Sequence, residues 1–260
     1  MIWLYITLGI SGGIALIVLF VWFSNSWLKI TRYKIKIEGA PSLKIVHLSD
    51  LHAKRFGKGN IRLIKKTQKE SPDLIAVTGD IIHRYNPKNR AVALECASAL
   101  KEVAPVFYIS GNHEMRGMQY RFLRKDLMEA GITVLDDEAI EFNGVQIVGL
   151  NCANLKNDKI FKITPKASPK ILLAHKPHFF ERYANAGYDL VLSGHAHGGQ
   201  WRIPFTNIGI FSPGQGLFPK YTSGVHILEN TKMVISRGLG NSQCPIRLFN
   251  RPEILVININ

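Results

Sequence analysis

Five short apolar runs, each closing on Asp, Asn or His, restrict this chain to few architectures. They are "LKIVHLSD" (43–50, continued by Leu51 and His52), "DLIAVTGD" (73–80), "APVFYISGNHE" (104–114), "ILLAH" (171–175) and "DLVLSGHAH" (189–197). A strand with one wet face alternates apolar and polar residues, whereas a strand covered on both faces reads as a continuous apolar run. Helical stretches separate the first three: a basic one over 59–70 ahead of Pro72, then "RAVALECASALKEV" (90–103). A third, "MQYRFLRKDLMEAG" (118–131), closes on Gly131. Repeated strand–helix–strand order predicts parallel pairing with right-handed crossovers. The pattern then changes. "AIEFNGVQIVGL" (139–150) predicts a hairpin turning at Asn143-Gly144, and "GVHILENTKMVIS" and "PEILVIN" predict antiparallel strands near the C-terminus. "TRYKIKIEG" (31–39), which alternates basic and apolar residues, predicts an edge strand ahead of them all.

The polar endings matter as much as the runs. In open α/β sheets, ligands bind at the carboxyl ends of the strands. Asp50, His52, Asp80, Asn112, His113, His175, His195 and His197 therefore become candidates for one pocket. One polar strand end is ordinarily a turn or a helix cap; five in succession built from Asp, Asn and His are metal-ligand chemistry. The D-x-H spacing of Asp50 and His52 points both side chains one way on an extended chain. His195 and His197 share that spacing. Gly79 lets the strand end turn at Asp80, and Gly194, Gly198 and Gly199 are expected to keep the rim open. His47, inside a strand, reads as a core histidine, and His83 as an exposed loop histidine or as support behind the site. Glu114 either orients His113 or is an acidic residue at a helix start. His178 and His226 receive no role.

In order and spacing, "DLH" (50–52), "GD" (79–80), "GNHE" (111–114), His175 and "GHAH" (194–197) resemble the calcineurin-like metallophosphoesterases. The glycine-rich continuation "GHAHGGQW" and "GLFPKYTSGVH" (216–226) is similar to a bacterial membrane-associated branch of that family. The resemblance implies an α/β two-sheet sandwich flanked by helices and a site for two divalent metal ions. It places Asp50, His52 and His197 on one metal and Asn112, His175 and His195 on the other, with Asp80 between them. His113 would stand off the metals as the acid for the leaving group. The implied reaction is hydrolysis of a phosphodiester, pyrophosphate or phosphomonoester bond by metal-activated hydroxide. The N/O donor set suits Mn, Fe or Zn.

Residues 1–28 carry no charged side chain and are long enough to cross a bilayer as a helix. Trp3 and Tyr5 flank one end, Trp22 and Trp27 the other, and basic residues follow at Lys29, Arg32, Lys34 and Lys36. The run lacks the basic lead and the small-x-small cleavage site of a signal peptide. The expected organisation is a transmembrane anchor (1–28), a basic juxtamembrane segment with an edge strand (29–42), and a metallophosphoesterase domain (43–260) on the cytoplasmic side. The three cysteines, Cys96, Cys152 and Cys244, form no metal or disulfide pattern. A formal charge of +14, from 33 Lys and Arg against 19 Asp and Glu, favours an anionic partner. A nuclease and a non-catalytic binding module of the same fold stay open as alternatives; no nucleic-acid motif is present, so nucleic acid is not the expected partner. Among the membrane-associated relatives are pyrophosphatases of lipid A synthesis, which suggests a lipid-linked substrate. "WRIPFTNIGIFSPGQGLFP" (201–219) would then supply Trp201, Ile203, Phe205, Phe211, Leu217 and Phe218 as an acyl groove, or else pack the second sheet.

Overall fold

The central strands are buried on both faces because two six-stranded sheets stack and each carries helices on its outer side. A computed structural model of the chain describes residues 1–116, 118–155, 169–241 and 244–260. A 25-residue helix α1 (Ile2–Ser26) precedes the sheets. The first sheet contains β1 (Lys29–Ile35), β2 (Leu43–Leu48), β3 (Leu74–Thr78), β4 (Val106–Ile109), β5 (Thr133–Val134) and the C-terminal strand β14 (Glu253–Ile259), in spatial order β1-β14-β2-β3-β4-β5. Helices α2 (Ile61–Gln68), α3 (Pro87–Lys101) and α4 (Tyr120–Glu129) are the crossovers between β2, β3, β4 and β5, which pair in parallel. The second sheet contains β6 (Glu138–Phe142), β7 (Val145–Gly149), β8 (Lys170–Leu173), β9 (Leu190–Ser193), β12 (Gly224–Leu228) and β13 (Thr231–Ile235), in the order β12-β13-β9-β8-β7-β6. Helix α5 (Phe180–Asn185) joins β8 to β9, and a two-stranded ribbon of β10 (Phe211–Ser212) and β11 (Gly216–Leu217) lies apart.

The pleat sorts the core into three layers. Along β2, Ile45 joins the cluster between the sheets with Leu74, Phe107, Ile171, Leu190 and Leu255. Its neighbours Val46 and Leu48 face outward into a second cluster with Leu63, Ala93, Leu100, Leu123 and Leu127 of the first three crossover helices. Beyond the second sheet, Val148, Leu172, Val191 and Met233 pack on Phe180 and Tyr183 of α5. The hairpin turns as expected at Asn143 and Gly144, both at positive φ (46° and 76°) as a type I′ turn requires. His47 is the expected core histidine: it is fully buried, and its Nε2 lies 2.8 Å from Thr78 Oγ1.

Two expectations are corrected. The C-terminal strand lies between β1 and β2, antiparallel to β2 but parallel to β1, because the chain enters the edge strand from α1 in the same direction as β14. The stretch from Trp201 to Phe218 does not pack the second sheet either. Trp201, Ile203, Phe205, Phe211, Leu217 and Phe218 are all exposed, since Gly and Pro every few residues limit the stretch to the two-residue strands β10 and β11, too short to dock.

Helix α1 is apolar on all sides and free of contacts over most of its length. At 1.5 Å per residue it is about 37 Å long, enough to span the hydrocarbon layer of about 30 Å. Its C-terminal foot is held: Asn25 Oδ1 accepts from the Arg247 N–H (3.0 Å), Lys54 Nζ donates to Asn25 O (2.6 Å), and the Phe20 and Phe249 rings lie 4.9 Å apart.

Candidate metal centre

All eight candidates meet at the carboxyl ends of β2, β3, β4, β8 and β9, where both sheets end together. Ligand atoms of Asp50, His52 and His197 lie within 4.8 Å of one another, and so do those of Asp80, His175 and His195. In the first set, His197 Nε2 is 3.1 Å from His52 Nε2 and 3.3 Å from Asp50 Oδ1. In the second, His175 Nε2 is 3.2 Å from His195 Nδ1, 3.3 Å from Asp80 Oδ2 and 3.1 Å from Asn112 Oδ1. Asp80 Oδ2 lies 3.7 Å from His52 Nε2 and 3.9 Å from His113 Nε2, so this carboxylate stands between the sets.

Such a cluster suits cations. Two imidazole nitrogens facing one another at 3.1 Å have at most one proton to share, and neutral imidazole is the metal-binding form. Burial keeps His52 neutral by pulling its pKa down to about 3, and holds His195 and His197 well below the ordinary histidine value. Burial also lowers His175, but the Asp80 carboxylate outweighs it and lifts that ring to about 9. For Asp80 itself, burial acts upward and the His175 charge and hydrogen bond act downward; the result lies well below the usual carboxylate range. Burial pushes Asp50 up to about 6. Ring orientation is set from behind. His175 Nδ1 donates to Thr78 O (2.7 Å) and leaves Nε2 for the cluster, while His113 Nδ1 donates to His83 O (2.5 Å) and leaves its Nε2 facing Asp80.

The convergence has a different cause from the one the spacing suggested. Asp50, His52, Asp80, His195 and His197 all sit in the left-handed region, with φ between 48° and 66°. The chain does not stay extended through D-x-H or H-x-H; it kinks at these five residues, and αL is a conformation that Asp, Asn and His adopt more readily than most residues with a Cβ. Nor do the rim glycines hold space open. A Cβ on Gly194 would lie 1.8 Å from Ser49 Oγ and 2.4 Å from Asp50 Oδ2, and one on Gly198 would lie 2.3 Å from Asn250 Oδ1. They are glycine so that the backbone can press against Asp50 and Asn250. Gly79, at φ 84°, does turn the strand end as expected.

Several supports escaped the sequence reading. Glu114 does not orient His113. Its buried carboxylate clasps two loops, with Oε2 accepting from Asp80 N and Gly111 N (2.7 Å each) and Oε1 from Ile82 N (3.1 Å). Burial and the Asp80 charge raise its pKa to about 8. Of the two readings of His83, the exposed one is corrected: the residue is half-buried, and its ring lies 5.2 Å from that of His113 and 5.5 Å from that of His52, so that His52, His83 and His113 form a third group of convergent nitrogens. From the C-terminal segment, Asn250 Nδ2 donates to His197 O (2.7 Å), the fully buried Arg247 brings Nη2 to 3.3 Å from His197 Nδ1, and Gly240 N donates to Asp50 O (2.6 Å). The glycines of "SRGLG" (236–240) were the available signal. Of the histidines without a role, His178 lies with its ring 6.0 Å from that of His195, and His226 is half-buried against Tyr221.

Residues 43–199 match the calcineurin-like phosphoesterase family. The chain is 28% identical over 243 residues to the phosphodiesterase YaeI of Escherichia coli (strain K12), covering 90% of this chain and 88% of that protein. It is 30% identical over 234 residues to a Bacillus subtilis (strain 168) protein named metallophosphoesterase YkuE, covering 85% of this chain and 80% of that one. The crystal structure of the Thermus thermophilus protein TT1561 shares the fold, with a TM-score of 0.51 at 13% identity over 76% of this chain and 91% of that chain. With the family match spanning more than half of its length, and the motif histidines and aspartates gathered at one sheet end, this chain belongs to the calcineurin-like phosphoesterases.

Proposed function

We propose that the chain is a membrane-anchored, dinuclear metal-dependent phosphoesterase that cleaves a phosphodiester or pyrophosphate bond. The observation that carries this reading is the pair of His/Asp sets arranged about Asp80. Asp50, His52 and His197 would hold one divalent ion, Asn112, His175 and His195 the other, and Asp80 would serve both. Mn, Fe and Zn are the fitting metals for these imidazole and carboxylate donors. Such a pair of ions, when bound, lowers the pKa of water and offsets charge that develops on the phosphoryl oxygens.

The chain's own residues do the rest. Asp50 and Asp80 contribute two negative charges against the four of two dications, and the imidazoles contribute none, so the pocket retains positive charge for an anionic phosphate. His113, oriented by its bond to His83 O, presents Nε2 to the pocket as the group that protonates the leaving oxygen. Asn112, a neutral donor, keeps that surplus from being cancelled. Hydrolysis of bis-p-nitrophenyl phosphate or p-nitrophenyl phosphate by the detergent-solubilised full chain with Mn²⁺ tests the reading. Absence of turnover with any of the three metals, at full metal occupancy, refutes it in favour of a binding module.

Helix α1 would anchor the protein, with Lys29, Arg32, Lys34 and Lys36 on the cytoplasmic side by the positive-inside rule. That placement, with the exposed Trp201, Ile203, Phe205, Leu217 and Phe218, supports a lipid-linked or otherwise amphiphilic phosphate ester as substrate. The comparison to make is hydrolysis of acylated and deacylated forms of one substrate in mixed micelles. Equal kcat/KM for the two rules out a lipid-directed role.

A further inference from the structure

The loop beyond the histidine rim closes a second, separate cavity against the foot of α1. Ile203, Phe205 and Thr206 stand across from Phe20, Phe23 and Phe249 around about 320 Å³ of space. Four cationic side chains, Lys29, Arg202, Arg237 and Arg251, line the same space. Among the described residues, Glu253 is the one carboxylate in ionic contact with any of them, at 3.8 Å from Arg237 Nε, and its Oε1 is already taken by Thr31 Oγ1 (2.6 Å). Arg202 is buried; its Nη1 donates to Gly198 O (2.8 Å) and Ser223 Oγ (3.1 Å), but its Nη2 has no partner among the described residues, nor has Arg237 Nε a hydrogen-bond acceptor. Arg251 lies 4.8 Å over the Phe23 ring, so charge and apolar helix meet at one rim.

One buried and three half-buried cations around one cavity, with hardly any anion among them, suit a ligand that is negative and accepts hydrogen bonds. Arginine forks match phosphate oxygens. The apolar half of the lining adds a second requirement, for a ligand with a hydrocarbon part. The cavity's depth supplies a third: it is level with Phe20, Phe23 and Ser24, at the end of the helix that carries Trp22 and Trp27, where a helix that crosses a bilayer passes the headgroups. We propose that this cavity binds the phosphate headgroup of an anionic phospholipid, its acyl chains running along Phe20 and Phe23 with Phe205 beside them.

The consequence for the metal centre is positional. Arg202, whose side chain lines the cavity, also holds Gly198 O, one residue from His197. A lipid seated there sets the height of the histidine rim above the membrane surface. The inference rests on α1 being retained as a span.

Full-length protein is reconstituted in nanodiscs of equal phosphatidylcholine and phosphatidylglycerol, and lipids retained on release are counted by native mass spectrometry. Wild type is expected to keep one phosphatidylglycerol in preference to phosphatidylcholine. K29Q/R237Q should lower that retention about 30-fold, on the usual contribution of a basic residue at an anionic surface. Neither side chain donates a hydrogen bond within the described chain; should the double variant fail to fold, K29Q alone must show the same direction at smaller size. R62Q/K65Q, whose charges line a different cavity at Trp27 and Leu28, should leave retention unchanged. An equal loss in R62Q/K65Q means general attraction to a basic surface and overturns the site. Wild-type retention in K29Q/R237Q overturns it as well, and so does displacement of the lipid by inorganic phosphate, which would mark a soluble-anion site. Extraction of the chain from membranes by alkaline carbonate refutes the anchor and the site together, whereas a chain that stays in the membrane without lipid preference refutes the site alone.

Discussion

Glu114→Gln separates support of the metal centre from ligation of it. The carboxylate accepts three backbone N–H groups, from Asp80, Gly111 and Ile82, and all three are buried. Glutamine has nearly the same shape but only one oxygen. Placed where Oε2 now lies, that oxygen keeps the Asp80 and Gly111 bonds, and the amide NH₂ then faces the Ile82 N–H, donor against donor. One buried N–H left without an acceptor costs about 1–3 kcal/mol. A carboxyl lifted to about 8 is largely protonated at pH 7, so the amide relieves little charge there, and a net loss of about 2 kcal/mol is expected, or a Tm lower by about 6 °C for a chain of this length. The functional effect is larger than the structural one. Glu114 ties the turn at Asp80, which would serve both proposed metals, to the loop of Asn112, which would serve one, so Mn²⁺ affinity should fall while kcat at saturating Mn²⁺ largely recovers. Differential scanning fluorimetry gives the Tm and a Mn²⁺ titration of activity gives the split. A variant with wild-type Tm and wild-type Mn²⁺ dependence refutes the clasp.

Three further outcomes are expected. Asp80→Asn retains an oxygen for the His113 N–H, so the fold should persist by circular dichroism, but metal content by elemental analysis and turnover should both collapse; full metal and full turnover contradict a dinuclear site centred on Asp80. His113→Ala should keep both metals and lose turnover by about 10²–10⁴-fold, and loss of a metal instead would make His113 a ligand. His47, pushed down to about 3 by burial, is neutral in the folded state and takes up a proton near pH 6.5 when unfolded, so its contribution to stability is complete above about pH 6.5 and is lost as pH falls toward 3, at about 1.4 kcal/mol per unit. His47→Leu should therefore flatten the urea-stability profile between pH 6 and 4 relative to wild type, and parallel profiles would refute a buried neutral ring.

The fold was legible where burial on both sides leaves a mark on composition. β2, β3, β4, β8 and β9 are read directly because a strand between two layers has few polar positions to break its run, and the crossover helices follow from spacing and from Pro72 and Gly131. The partner of β1 was not legible. Its pairing with β14 joins residues 29–35 to 253–259, and nothing local in either stretch encodes a neighbour so far along the chain. The same holds for the site. Its eight polar residues at five strand ends are visible as residue types in a repeated position, whereas Arg247 and Asn250 reach His197 across 50 and 53 residues.

What the sequence conceals most completely is strain, and strain explains why the hidden supports exist. Five side chains of the cluster stand on backbone in the left-handed region, at a cost of order 1 kcal/mol or more each. Such kinks persist only where neighbours over-determine them. Each has its restraint: Asp80 N is clasped by Glu114, His195 N donates to both Asp50 oxygens (3.2 and 3.0 Å), His197 O is held by Asn250, and the Asp50 and His52 amides donate to Gly79 O and Asp80 O (3.0 and 2.9 Å). Glycine at 79, 111, 194 and 198 removes the Cβ atoms that would keep these restraints apart, since at each position an added Cβ would come within 2.5 Å of a facing atom. The motif glycines and the motif histidines are therefore one device. The histidines and aspartates bring lone pairs to a point that an ordinary strand end cannot reach, and the glycines let the rest of the chain close tightly enough behind them to hold that shape.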